Sequence, residues 1–351
     1  MISLTLLTLA IDVMTRDCSP NVTIPAVLRV LYSHLTLILF LFGNRNVIWN
    51  FLKKVDDSIL DCIQVIPAIS IVDSNIKPLI TMRNNCGSSM RLALKLIKDC
   101  KAQGCISSDN TGVLIALVKI LLKSIKESIK FPALVTVLPH QKHSKTTILD
   151  LGSNMNSDSK IPVQFAITRA VITKKLLALT HLRVALLNFG KEEIKGLKNI
   201  CNAGSALRKL SGINYIGYLE SNDILAGKTD VLVCKGFTGN ITLKTIEGIL
   251  RIFSPIVQCT QKVEKCHFHL KLLEWCFEKY FKKCFNYLNS DHYNSSCLLG
   301  LKNIAIKSHG SVNQHLFAVA IEQAEKAVRQ KILERISLRL DAFLIKSDKV
   351  L

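Results

Sequence analysis

The sequence predicts an α/β protein built on an open, mostly parallel sheet. Most of its apolar stretches are continuous rather than alternating, as strands covered on both faces require. These stretches alternate along the chain with segments of helical periodicity. No long Pro/Gly/Ser linker and no repeat of fixed period interrupts them, so residues 1–351 read as a single α/β body.

The chain opens on MISLTLLTLAIDVM. No basic residue precedes its apolar run, and Asp12 and Arg16 follow closely, so Leu4–Asp12 reads as a buried first strand rather than a leader. Helix is expected at Ala26–Ser33, then strands at Thr36–Phe42 and Ile63–Ile69. Ser88–Lys101 has helical spacing, Gly104–Ser107 is a short strand, and Val113–Lys130 is helical again. Strands are expected at Ala133–Leu138 and Thr147–Leu151, with a helix at Val163–Leu179. Val184–Asn188, Asn214–Leu219 and Val231–Lys235 are further strands, with helices at Glu192–Leu210 and Thr242–Pro255. Ile304–Lys307 is the last strand and Val312–Leu340 the last helix. One segment breaks the alternation, a helical excursion at about 256–290. Its central part, Val263–Leu288, is apolar on one helical face and Lys/Glu-rich on the other. Such a helix either packs on the body or meets a membrane surface or a partner.

Composition narrows the function classes. The chain is 49% hydrophobic with a mean hydropathy of +0.29. Its most apolar windows, Leu35–Phe42 and Val113–Leu122, fall short of the ~20 residues a spanning helix needs, so a cytoplasmic protein is expected. The 12 cysteines form no CxxC pair and read as buried free thiols. Cys259, Cys266, His267, His269 and Cys276 lack zinc-site spacing, so no metal is expected. A formal charge of +20 favours anionic partners, although a composition rich in Lys, Ile and Asn also follows from an A/T-biased genome. No basic run is interleaved with aromatics, which argues against nucleic acid.

The stretch DVLVCKGFTGNITLKTIEG, Asp230–Gly248, reads as strand, glycine turn and helix start. It lacks the order of a P-loop, but the pattern recurs. Ser107–Gly112 contains Asn110, Thr111 and Gly112; Asp150–Asn154 ends on Asn154. Asn188–Glu193 contains Gly190 and precedes Lys195, and Ser308-His309-Gly310 closes the set. In an open parallel sheet such loops line one crevice beyond the strand ends. Glycine allows close backbone approach, and helix N-termini offer unpaired N–H groups and partial positive charge. The expected result is an anion pocket built from Asn110, Thr111, Gly112, Asn154, Asn188, Gly190, Gly236, Thr238, Gly239 and Asn240. Lys195, Lys244, Lys307 and His309 are candidates to add positive charge or orient the anion; Lys195 and Lys244 are equally readable as solvated helix residues, and His309 as a capping histidine rather than a base. Asp12 either orients a donor loop or is a structural strand-end carboxylate, and Cys234 reads as a packed thiol.

These residues lie in a series of blocks that resembles one family across nearly the whole chain. The blocks are AIDVM, GSSMRLAL, NTGVL, PALVTVLPH, LDLGSN, VQFAI, RVALLNFGKEEIKG, INYIGYLE, GKTDVLVCKGFTGNITLKTIEG, YNSSCLLGL and IKSHG. The sequence resembles the PlsX family, acyl-ACP:phosphate acyltransferases of bacterial phospholipid synthesis. The resemblance implies a three-layer α/β/α sandwich similar to phosphotransacetylase and isocitrate-dehydrogenase-like folds, and a homodimer. It implies acyl carrier protein and inorganic phosphate as partners in forming acyl-phosphate, without a cofactor. The product would pass to a membrane glycerol-3-phosphate acyltransferase, with the enzyme peripherally membrane-associated. Departures from the family pattern are Thr15 and Arg16 in place of two glycines, Asp109 in place of another, and Lys235 and Lys191 in place of acidic residues. Lys235 and Lys191 are candidates to compensate Asp109. A short-chain acyl-CoA phosphate acyltransferase or a hydroxyacid dehydrogenase on the same fold, and a weakened or non-catalytic binder of carrier protein or membrane, are the competing readings.

Overall fold

The computed structural model describes residues 6–15, 18–34, 36–70, 87–125, 132–140, 144–150, 162–163, 165–166, 182–210, 212–259, 295–308, 313–334 and 337. Among the described residues, eleven strands form one sheet: β1 (Leu7–Asp12), β2 (Leu37–Gly43), β3 (Ile63–Pro67), β4 (Gly104–Ser107), β5 (Ala133–His140), β6 (Ser144–Leu149), β7 (Arg183–Leu187), β8 (Asn214–Leu219), β9 (Val231–Val233), β10 (Ser295–Leu299) and β11 (Ile304–Ser308). The helices are α1 (Pro20–Ser33), α2 (Arg45–Leu52), α3 (Asp57–Leu60), α4 (Ser89–Lys98), α5 (Thr111–Leu121), α6 (Lys198–Lys209), α7 (Gly236–Cys259) and α8 (Gln314–Arg329). The sheet runs β3-β2-β1-β4-β11-β10-β5-β6-β9-β7-β8.

The apolar runs become strands because both faces are covered. Leu9, Ile11, Leu39, Leu41, Ile106, Ile304 and Ile306 pack with α1, α2 and α8 on one face. Ala10, Cys105 and Ala305 lie on the other, under α4 and α5. In the second half of the sheet, Val184, Leu186, Val231 and Val233 pack with Ile200, Ala203 and Leu207 of α6. Their neighbours Ala185, Leu187 and Leu232 join Leu243 of α7 on the opposite face. This is the open α/β sheet that the alternation predicts, in the three-layer arrangement that the family resemblance implies.

Strand direction departs from the expectation of one shared crevice. β10, which the sequence reading omits, runs antiparallel to both β11 and β5. β5 and β6 form an antiparallel hairpin. β6, β9, β7 and β8 are then parallel to one another, and opposite in direction to β1, β2, β3, β4 and β11. The carboxyl ends of the two sets therefore leave opposite edges of the sheet. The β5–β6 hairpin carries this reversal, since β10 is antiparallel to both neighbours and leaves β11 and β5 pointing the same way.

Helix boundaries also move. α7 begins at Gly236, so Gly236, Thr238, Gly239 and Asn240 form its first turns rather than a loop before it. A Cβ on Gly239 would stand 2.5 Å from the Asp150 carbonyl oxygen and 3.0 Å from Cys234 Cβ. Glycine here lets the helix start lie against the end of β6. Asp150 itself holds a left-handed backbone, φ 66°. α6 starts only at Lys198, while α5 ends at Leu121 because Leu122 turns extended. Val263–Leu288 lies outside the described residues, and no described helix is long and apolar enough to cross a membrane.

Gly239→Ala is expected to destabilise the fold by roughly 1–3 kcal/mol, since the clash is with backbone. Gly248, in the same helix with nothing within 4 Å of a built Cβ, is the control: Gly248→Ala should stabilise by about 0.5–1 kcal/mol. Chemical denaturation midpoints of the two variants check both signs.

Candidate functional site

Strand register assembles a polar cluster under α4 and α5. Ile11 pairs with Ile106, and Lys307 pairs with Ser107. Side chains alternate faces, so Asp12, Ser107 and Lys307 follow Ala10, Cys105 and Ala305 onto the α4/α5 face. All three are buried at neighbouring strand ends. Ser107 Oγ donates to Asp12 Oδ2 at 2.7 Å and accepts from the Asp109 amide at 3.2 Å. Lys307 Nζ donates to the carbonyls of Ser108 at 2.9 Å and Ser308 at 2.5 Å. The ammonium thus ties the β4 loop to the end of β11.

The loop after β1 closes the cluster from a third side. Thr15 is buried, and its hydroxyl shares a 2.6 Å hydrogen bond with Ser108 Oγ. It also bonds the Cys18 carbonyl at 2.9 Å and amide at 3.0 Å. Thr15 is not among the described residues with positive φ, so its side chain enters without backbone strain. Ser89 Oγ, at the head of α4, donates to the Met14 carbonyl at 3.3 Å.

The two helix N-termini over this cluster differ. At α5 the Asn110 side chain accepts from the amides of Gly112 at 2.8 Å and Val113 at 3.3 Å. Asp109 Oδ1 takes the Asn110 amide at 2.7 Å. This helix is capped by its own residues. At α4 the N-cap residue Ser88 makes no side-chain cap bond, and its buried Oγ has no partner. Asp12 Oδ1 and Ser308 Oγ are likewise buried without a partner.

Burial pushes the Asp12 carboxyl up to about 7, with the nearby Asp109 adding to the rise. The Ser89 and Ser107 hydroxyls and the Lys307 ammonium oppose it. Burial likewise raises the Cys105 and Cys234 thiols, which fits the packed-thiol reading of Cys234. Among the described residues, no group of three His, Cys, Asp or Glu is placed to hold a metal ion.

The expected site residues fall into two groups. Asp12, Asn110, Thr111, Gly112 and Lys307 gather at the ends of β1, β4 and β11. Asn188, Gly190, Lys195, Gly236, Thr238, Gly239, Asn240 and Lys244 gather at the opposite edge, beyond β7 and β9. The single pocket inferred from glycine turns is corrected here, because it assumed that every strand points the same way. In the second group Asn188 Nδ2 is taken up by the carbonyls of Gly190 at 3.1 Å and Lys195 at 2.8 Å. Lys195 pairs with Glu192 and Lys244 with Glu247, each at 2.7 Å on exposed surface. Lys191 pairs with Asp223 at 2.8 Å rather than compensating Asp109. Asn154 and His309 lie outside the described residues. Sequence reasoning missed Ser88, Ser89, Ser107, Ser108 and the hydroxyl role of Thr15. The serine pair ahead of an apolar helical run is the signal that marks the head of α4.

A family model described as "Fatty acid synthesis protein" matches residues 7–335. Among solved structures, the fold is similar to a branched-chain phosphotransacylase from Enterococcus faecalis V583, with a TM-score of 0.53 and 11% identity over 94% of this chain and 99% of that one. It is also similar to a phosphotransacetylase from Streptococcus pyogenes, with a TM-score of 0.57 and 14% identity over 91% of this chain and 94% of that one.

A carboxyl whose pKa is raised by folding costs stability as pH climbs from its unfolded value to its folded one. Asp12, raised from 3.8 to about 7, should therefore make the folded state less stable as pH rises through that window and level off above it. Asp12→Asn should remove this part of the slope. Urea midpoints measured at about pH 4.5, 6 and 8 on both proteins check the sign.

Proposed function

The chain belongs to the PlsX family, the fatty acid synthesis proteins, and from that premise we propose that it transfers an acyl group from acyl carrier protein to inorganic phosphate. The observation that carries the reading is the cluster at the ends of β1, β4 and β11. The head of α4, which its own N-cap side chain leaves uncapped, and a set of buried hydroxyls meet there, the environment an oxyanion requires. The similarity of the fold to phosphotransacylases supports the same reaction class.

The chemistry asks for positioning more than for proton transfer. A phosphate oxygen attacks the thioester carbonyl, the tetrahedral intermediate collapses, and the thiolate of the carrier leaves as acyl-phosphate forms. Both the phosphate and the intermediate's oxygen are anionic, so fixed N–H and O–H donors lower the barrier without moving during the reaction. The thiolate is a modest base and leaves with little acid assistance. Lys307 contributes by holding the Ser108 and Ser308 backbone in place. His309, Lys244 and the second group of loop residues remain candidates for the acyl-carrier side of the site. The product feeds glycerol-3-phosphate acylation at a membrane, and the formal charge of +20 suits both phosphate and an anionic membrane surface. We place the protein in the cytoplasm as a homodimer in peripheral contact with that surface, through the excursion at about 256–290.

One observation favours a second reading, a weakened enzyme. Asp109 puts a buried carboxylate beside Asp12, close to where an anion would sit.

Purified protein given long-chain acyl-carrier thioester and phosphate should yield acyl-phosphate, trapped as hydroxamate with hydroxylamine. Product from acetyl-CoA alone would move the assignment to a short-chain enzyme, and no product from either would leave a binder. Asp109→Gly should lower the phosphate KM about tenfold, the equivalent of ~1.4 kcal/mol of relieved repulsion, with kcat little changed. An unchanged KM would count against an anion site at this end of the sheet.

A further inference from the structure

We propose that the anion seat is the head of α4, formed by Ser88 with Asp12, and that it selects oxyanions carrying a proton, phosphate or arsenate, over sulfate. The inference rests on the phosphate reading above and assigns its binding residues and its selectivity.

Of the two helix N-termini in the cluster, α5 has its first-turn amides occupied by Asn110 and Asp109. At the head of α4 the Ser89 amide is taken by the Ser70 carbonyl at 3.3 Å, and the Met90 amide next to it has no intrahelical acceptor and no cap from the Ser88 side chain. α4 spans 10 residues, long enough to carry a helix dipole toward that end. The independent observation is the set of orphaned polar atoms. Ser88 Oγ and Asp12 Oδ1 are buried without partners, each at a cost to folding that a purely structural residue would not retain. Asp12 lies against Ser89 at the head of the same helix, and Lys307 faces it from β11.

The chemistry of these atoms sets the ligand. The Met90 amide and the Ser88 hydroxyl donate. Asp12 Oδ1, on a carboxylate whose other oxygen already accepts from Ser107, offers an acceptor. Phosphate at neutral pH carries at least one P–OH and satisfies both kinds of group. Sulfate carries none, so it would leave Asp12 facing an anion oxygen with no proton between them. A site built to receive a hydrogen bond rejects an analogue that lacks the donor far more strongly than size alone allows.

The test is direct binding of inorganic phosphate, arsenate and sulfate by isothermal titration calorimetry at about pH 8.5, where Asp12 is ionised, with no acyl donor present. The unmodified protein should bind phosphate and arsenate and prefer them to sulfate by at least ~100-fold. Ser88→Ala should weaken phosphate binding by about tenfold or more, as loss of a hydrogen bond to a charged group implies. The same substitution should leave the ligand-free melting temperature unchanged or raised, because it deletes an unsatisfied hydroxyl. Asp12→Asn, which replaces the acceptor with an amide that also donates, should bring the preference over sulfate below about fivefold. Equal binding of sulfate by the unmodified protein overturns the proposal. So does unaltered phosphate affinity in Ser88→Ala, or a parallel fall in its affinity and melting temperature. Selective phosphate binding that depends on Ser88 and Asp12 upholds the seat even if no acyl-phosphate is made, in which case only the transfer reaction falls.

Discussion

The two-residue alternation of side chains along β1, β4 and β11 is the constraint on which the polar cluster depends. Leu9, Ile11, Ile106, Ile304 and Ile306 must face α1 and α8 to be buried. Their neighbours are then forced to the other face, where Ala10, Cys105 and Ala305 leave room for α4 and α5. One position further on, the same parity brings Asp12, Ser107 and Lys307 together. A register slip of one residue in any of the three strands would break the cluster and the core at once.

Burying two carboxylates and one ammonium is costly, and the cluster offsets that cost in different ways. Lys307 satisfies its charge on backbone carbonyls. Asp109 caps the Asn110 amide. Asp12 has one oxygen satisfied by Ser107 and one left over, and its raised pKa is the measure of that incomplete compensation. Such local imbalance within an otherwise consistent fold is where function is expected to reside. Thr15, which replaces a small residue of the family pattern, is absorbed because its hydroxyl finds Ser108 and Cys18 and its backbone needs no positive φ.

The opposite edge of the sheet answers a different question. The glycine-rich stretch after β9 draws attention as a ligand loop, yet it forms the first turns of α7. Gly239 is small because the Asp150 carbonyl lies against it. Asn188 is spent on the carbonyls of its own turn. Glycine, asparagine and serine at a strand end are required equally by close helix packing, by turn closure and by anion binding, and sequence alone gives all three the same signature.

The α/β class, most strands and the residues that end them were legible in the sequence, since continuous apolar runs and helical periodicity are local properties. Asp12, Asn110 and Lys307 were legible as strand-end candidates for the same reason. What the sequence could not state is direction. The β5–β6 hairpin reverses half of the sheet, and the parallel pairings of β9 with β6 and β7 that build the reversed half join segments far apart in the chain. Which strand ends share an edge, and which buried serine is left without a partner, were decided only by that long-range pairing, because a hydroxyl or carboxylate becomes an orphan through its three-dimensional surroundings and not through its neighbours in sequence.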